Sequence, residues 1–245
     1  MTIIHLILQS NELEEGKEVN PTDHLQKMPF METEWPDGKT GADIFNGFQS
    51  PRYMKTHLPY ELWKDKLQKH PNLKVIQTIR NPKDTLVSWY HHNRSDSQLG
   101  AFHGTWEQFF DLVKEKKLAW GDYFEHNANW YKFNKDRKES LVLVYEDMKK
   151  SHRDHVIKIA KFLGHDLSDK VIDLIVKQSS VKDMSKSINA MVEKLPGWKS
   201  DRSAFIRKGV VGDWVNYFSE EQSEYVDAKC KEYFESLGIK FEYNT

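Results

Sequence analysis

Lys55 and His57 stand two residues apart in the stretch "YMKTHLP". In an extended chain, positions i and i+2 share a face, so an ammonium and an imidazole would project together. That pair suits removal of a proton from a hydroxyl, with the ammonium steadying charge on a departing oxygen. The chain has 11 histidines, so spacing alone does not single out His57. A second group lies in "IRNPKDTLVS". Arg80 follows a β-branched run and precedes a helix start, the arrangement that makes an anion site at the carboxyl end of a strand. Its guanidinium is a forked donor for phosphate, and Ser88 adds a hydroxyl further along the helix. The alternative is that Arg80 pairs with Asp84 and Ser88 is ordinary surface. A third group is "IRKGVVGDW". Arg207 and Lys208 precede Gly209, where the missing Cβ lets backbone N–H groups approach a phosphate, and Gly212 repeats the device. The alternative there is a solvated basic turn.

These residues need elements to hold them. "NLKVIQTI" is rich in β-branched residues and predicts a buried strand. It runs into "RNPKD", where Pro82 suits a first helical position, and then into the helix "TLVSWYHHNR". Helices are predicted around Trp106–Lys116 and Asp122–Asn134, and a second buried strand in "SLVLVYEDM". "HVIKIAKFLG" reads as a helix ended by Gly164, and "SDKVIDLIVKQSS" as another. The span from Lys186 to Lys208 reads as loop. "SEEQSEYVDAKCKEYFESLG" reads as a closing helix with Ser219 as its cap and Gly238 at its end. "SPRYMKTHLP" predicts a short strand, and the polar segment before it reads as loop with short helices. The chain opens on "MTIIHLIL", where Ile3, Ile4, Ile7 and Leu8 share a helical face that Leu6 widens, with Thr2 the one capping residue. Strands alternating with helices imply an α/β fold with a parallel sheet.

Composition narrows the function classes. The 245 residues carry 30% charged side chains, yet the formal net charge is -1. A dedicated nucleic-acid binder normally has a basic excess, so two basic sites in a near-neutral chain favour a small polyanionic ligand. Aromatic residues reach 13%, with 8 Trp, enough for a core and for the lining of an apolar pocket. One cysteine, Cys230, excludes an internal disulfide and fits a reducing compartment. No basic n-region with a cleavage site and no membrane-length apolar run is present, so a cytoplasmic protein is expected. His91–His92 and His152–His155 lack carboxylate or Cys partners at a recognised ligand spacing, so no metal is expected. No nucleophile elbow, Rossmann glycine fingerprint or Walker A loop appears.

"KTHLP", "RNPKDTLVS", "VYEDM" and "RKGVVGDW" occur in the order and approximate spacing of the cytosolic sulfotransferases, and "PFME" at Pro29–Glu32 resembles a segment bordering that family's acceptor pocket. The chain resembles this family over essentially its whole length. The resemblance implies a single domain over 1–245 with a three-layer α/β fold, a parallel sheet flanked by helices. It implies transfer of a sulfonate from 3′-phosphoadenosine 5′-phosphosulfate (PAPS) to a hydroxyl or amine of a small apolar acceptor, without metal. His57 would be the base and Lys55 would assist the transferring group. Arg80 and Ser88 would hold the 3′-phosphate, with Arg207, Lys208 and Gly209 closing over it. Tyr145 would meet the adenine. Ser179, Ser180 and Val181 match the family's "TSF", with Val181 in place of its aromatic residue. Phe30 and His92 would face the acceptor.

The sequence departs from the family in two places. The family carries a strand and a phosphosulfate loop of the type "YPKSGTTW" just before the helix that "MTIIHLIL" resembles, and this sequence contains neither. The resemblance then implies impaired transfer, with a nucleotide-binding remnant as the alternative reading. The family's dimer motif falls on Val215, Ser219-Glu220 and Glu224, where only the Glu is retained, so a homodimer through that motif is in doubt.

Overall fold

Capping chemistry sets many of the helix starts. Thr40, Thr105 and Ser219 each form a reciprocal capping box, with Asp43, Gln108 and Gln222 respectively. Asn81 caps the helix that begins at Pro82, Asp122 accepts from the amides of Phe124 and Glu125, and Ser168 accepts from Val171. The computed structural model describes residues 1–32, 34, 38–96, 101–193 and 205–244. In chain order its regular elements are α1 (Thr2–Leu8), α2 (Ser10–Glu14), α3 (His24–Lys27), α4 (Gly41–Asn46), α5 (Lys64–Lys69), β1 (Val75–Ile79), α6 (Pro82–Ser95), α7 (Trp106–Lys114) and α8 (Tyr123–Asn134). There follow β2 (Ser140–Val144), α9 (Tyr145–Lys150), α10 (His152–Leu163), α11 (Asp169–Gln178), α12 (Val181–Val192) and α13 (Glu220–Phe234). The fold is helix-rich α/β with a parallel sheet.

The chain divides into two compact units, one formed by 1–58 with 153–187 and the other by 59–152 with 188–245. In the second unit β1 and β2 pair in parallel, in register from Val75↔Ser140 to Ile79↔Val144. Both strands therefore end at the same level, and each runs straight into a helix. Arg80 and Tyr145 leave the sheet side by side for that reason. Helix α8 packs on both strands. A buried polar chain ties it there: Gln77 donates to the Asn127 carbonyl, Asn134 donates to Gln77 Oε1, and Ser140 donates to Asn134 Oδ1, at 3.1, 3.0 and 2.8 Å. Such buried polar groups are tolerated only because each finds a partner. The apolar core joins Leu86, Val87 and Tyr90 of α6 to Phe109 and Phe110 of α7, Phe124 and Ala128 of α8, and Val226 and Phe234 of α13. Trp106 is part of it, its indole N–H donating to Gln222 Oε1 at 2.8 Å.

In the first unit α1 and α2 pack on α11, burying Leu6, Ile7, Leu13, Val171 and Ile175. His5 and His24 are buried here too, 1% and 5% exposed. His5 bonds the Asn20 carbonyl through Nε2, and His24 bonds the Pro21 carbonyl through Nδ1.

Three expectations change. Thr2 is the first helical residue and is buried, with no side-chain cap, and the buried set of α1 is Thr2, His5, Leu6 and Ile7, so the stripe is rotated from the apolar count. "SPRYMKTHLP" forms one parallel bridge, Phe30↔Lys55, instead of a strand among the described residues. The loop expected from Lys186 is helix α12 up to Val192, because Ser180 accepts from the Asp183 amide at its start and Ile188 and Val192 are buried one turn apart. Residues 194–204 of that span lie outside the described residues.

The two buried histidines make the first unit acid-sensitive. Burial, the largest influence, holds His24 at about 4, against the opposing pull of the Pro21 carbonyl. The unfolded chain therefore binds more protons between about pH 6.5 and 4, and stability falls as pH drops through that window. We predict a loss on the order of 1–3 kcal/mol in urea unfolding between pH 7 and pH 4.5. Replacing His24 by Asn, which keeps a donor for the Pro21 carbonyl, should remove part of that pH dependence.

Candidate functional site

In the first unit the bridge between Phe30 and Lys55 is closed by Lys55 N–H donating to the Pro29 carbonyl at 3.0 Å and Met31 N–H donating to the Lys55 carbonyl at 2.9 Å. This puts the Phe30 ring against both residues of the i, i+2 pair. Lys55 Nζ lies 3.9 Å from the ring centroid, and the His57 imidazole stacks on it at 4.8 Å and 20°. Lys55 and His57 thus share a face, as their spacing requires, with Phe30 bound to the same face by a cation–π contact. Glu32, two residues beyond Phe30, completes the group. Its Oε1 accepts from the His57 backbone N–H at 2.7 Å and from the ring Nδ1–H at 2.8 Å. Two donations from one residue fix the imidazole's orientation and place its proton on Nδ1. Nε2 is then the basic nitrogen.

Electrostatics follow from burial. Burial tends to raise the Glu32 carboxyl, but the bonds from the His57 ring and backbone outweigh it and hold Glu32 below its ordinary value. Burial, countered in part by Glu32, draws the Lys55 ammonium down to about 8. Ser179 lies in this unit as the C-cap of α11, with its hydroxyl donating to the Ile175 carbonyl at 2.6 Å. Ser180 opens α12.

The second unit holds Arg80, Ser88, Tyr145, Arg207, Lys208 and Gly209, the residues expected at an anion site. Arg80 is half-buried. Its Nη2 donates to the Val210 carbonyl at 2.9 Å and lies 3.8 Å from Asp84 Oδ2, and its guanidinium covers the Tyr145 ring at 4.5 Å. Arg80 Nε is buried with no hydrogen-bond partner among the described residues. Tyr123 donates to the Arg80 carbonyl and so pins the main chain at the strand end. Ser88 is exposed on α6. Arg207 donates to Asp213 Oδ2 at 2.5 Å, and Lys208 to Asp213 Oδ1 at 2.7 Å. Burial works to raise Asp213, but Lys208, Arg207 and Asn216 hold it at about 2. Gly209 and Gly212 have φ of 61° and 92°, the left-handed region glycine enters at little cost. His92 stands 3.7 Å from Asp96 and edge-on to Phe205 at 5.7 Å.

Glu32, Asn81, Glu146 and Asp213 were given no role from sequence, and Asp84 only that of a partner for Arg80. Asn81 is fully buried. Its backbone N–H and Nδ2 both donate to Glu146 Oε1 at 3.0 Å, and Nδ2 also reaches Asp84 Oδ2 at 2.9 Å. Asp84 in turn accepts from the backbone amides of Gly212 and Trp214 at 2.8 and 3.0 Å. All five of these residues sit inside the quoted motifs, which was the available signal. Among the described residues no group of three or more His, Cys, Asp or Glu is placed to hold a metal ion, and no helix is long and apolar enough to cross a membrane.

The family model described as the sulfotransferase domain matches residues 1–238. The chain belongs to the sulfotransferase family. Rabbit (Oryctolagus cuniculus) sulfotransferase 1C2 is 36% identical over 217 residues, covering 87% of this chain and 72% of that relative. Mouse sulfotransferase SULT7A1, solved in complex with PAP, superposes with a TM-score of 0.68 at 30% identity, covering 86% of this chain and 78% of that one. Retinol dehydratase, solved with retinol and PAP, has a TM-score of 0.83 at 20% identity over 98% of this chain and 78% of that one, a likeness of fold. The sulfotransferase fold thus accounts for a parallel sheet whose strand ends carry Arg80 and Tyr145.

The depressed Lys55 ammonium is directly measurable. By NMR of the reductively methylated protein, Lys55 should titrate near pH 8, where ordinary lysines remain charged. Glu32→Gln should move that titration lower, because the carboxylate's charge is what opposes burial.

Proposed function

We propose that this sulfotransferase moves a sulfonate group from PAPS to the hydroxyl or amine of a small apolar acceptor, with His57 as general base. The observation that carries the reading is the Glu32–His57 pair. Glu32 accepts the Nδ1 proton of His57, so Nε2 is the ring nitrogen that would take a proton. Lys55, on the same face, brings a positive charge to the place where negative charge would develop. Phe30 bounds this face with an apolar ring, which suits an aromatic or otherwise apolar acceptor. In the second unit His92, edge-on to Phe205, is the other residue we propose to face the acceptor.

The second unit fits the nucleotide's phosphate. Arg80 retains a buried N–H with no partner, and Arg207 and Lys208 each have donors beyond those engaged by Asp213. These residues, with Ser88 and the Gly209 backbone, would hold the 3′-phosphate, and Tyr145 would meet the adenine. PAPS supplies an activated sulfonate on its 5′-phosphate. The protein's work is alignment and charge neutralisation, as in phosphoryl transfer. His57 Nε2 takes the acceptor's proton, and the cations compensate the charge left on the nucleotide. The domain extends over 1–245, and a reducing aqueous compartment suits its single free thiol, Cys230.

Calorimetry with 3′-phosphoadenosine 5′-phosphate and a radiolabelled sulfonate-transfer assay test this. His57→Ala should reduce transfer by about 100-fold or more while leaving the nucleotide dissociation constant within about threefold. Arg207→Ala should weaken nucleotide binding by about tenfold or more. Unchanged transfer in His57→Ala removes the base assignment. Nucleotide binding without any transfer by the wild-type chain would instead support a binding protein.

A further inference from the structure

We propose that Asp84 is the positioning residue that assembles the 3′-phosphate site, joining the turn that carries Arg80 to the loop that carries Arg207 and Lys208. This rests on the nucleotide reading above and deepens it. Asp84 is 2% exposed and lies in the first turn of α6. Its Oδ2 accepts from the Gly212 N–H at 2.8 Å and from Asn81 Nδ2 at 2.9 Å, and its Oδ1 accepts from the Trp214 N–H at 3.0 Å. The two backbone amides lie 128 and 130 residues along the chain, so the contact is made by folding alone.

Those amides flank Asp213, and Asp213 is the residue that holds Arg207 and Lys208. A chain of contacts therefore runs from Asp84, through the backbone of 212–214, to both loop cations. The loop has little room to settle elsewhere. A Cβ on Gly212 would meet the Tyr243 carbonyl oxygen at 3.3 Å, and the Trp214 indole N–H donates to that same carbonyl at 2.9 Å. Asp84 is not chiefly an ion-pair partner of Arg80. The guanidinium stands 3.8 Å away and spends its Nη2 on the Val210 carbonyl, which is itself part of the loop. Arg80 and Asp84 thus grip the loop at neighbouring points from the same turn. Ser88 follows Asp84 by one helical turn on α6.

Only a carboxylate accepts at both oxygens. An amide of the same shape presents NH2 to at least one of the three donors. Asp84→Asn therefore changes the clamp with little change of volume. The wild-type protein and Asp84→Asn would be titrated with 3′-phosphoadenosine 5′-phosphate and with adenosine 5′-phosphate, which lacks the 3′-phosphate. Expected is a wild-type preference for the 3′-phosphorylated nucleotide that drops about tenfold or more in the variant, with adenosine 5′-phosphate affected less than about threefold. No wild-type preference would sink the nucleotide reading itself. A wild-type preference that survives in Asp84→Asn would overturn this proposal alone, as would an equal loss for both nucleotides, the signature of general destabilisation. Should the variant not fold, amide exchange in the nucleotide-free wild-type protein reads the same clamp. Slow exchange at Gly212 and Trp214 supports it, and rapid exchange at both overturns it.

Discussion

The placement of Arg80 and Tyr145 depends on one constraint: a turn dense in charge is buried at the carboxyl end of β1. Asn81, Asp84 and Glu146 are each no more than 2% exposed. Burying such groups is costly unless every donor and acceptor finds a partner. Asn81 supplies most of them. It caps α6 with its side-chain oxygen and gives both its backbone N–H and its amide to Glu146. Glu146 follows Tyr145 directly after β2, so the same knot ties the two strand ends together. Burial raises the Glu146 carboxyl, while its bonds to Asn81 and the nearby Arg80 work against that shift. Once this knot is made, Arg80 and Tyr145 have little freedom, and the cation lies on the ring.

The Lys55–His57 face in the first unit is held together differently. A single β-bridge between Phe30 and Lys55 sets the separation of two short segments, and an aromatic ring fills it. Glu32 then engages His57 twice, through ring and backbone. A carboxylate that holds both atoms of one residue controls position as well as protonation. Burial draws the neighbouring Lys55 ammonium down, and the Glu32 charge opposes that shift.

Much of this was legible in the sequence. Caps at Thr105, Asp122, Ser168 and Ser219, the β-branched runs of β1 and β2, and Pro82 after Asn81 all act within one turn of where they stand, so residue type and spacing reveal them. The i, i+2 relation of Lys55 and His57 is equally local. The errors were of another kind. Thr2 has the chemistry of a cap but packs inside α1, and α1 buries His5 in place of Ile4, because neighbouring helices choose the buried face and hydropathy does not. Helix α12 was missed although Val181, Met184, Ile188 and Val192 recur at helical spacing, because the loop expected from Lys186 cuts that pattern in two.

What the sequence determined by itself was the parallel α/β class, the two strands and most of the helices, and the Lys55–His57 spacing that puts both on one face. Tertiary structure decided which of 37 acidic residues serve them. Glu32 meets His57 across 25 residues, and Asp84 meets Gly212 across 128. Caps and periodicity are written within a turn of chain. A carboxylate's partner depends on where two distant segments come to rest, and that is set by the packing of every element between them.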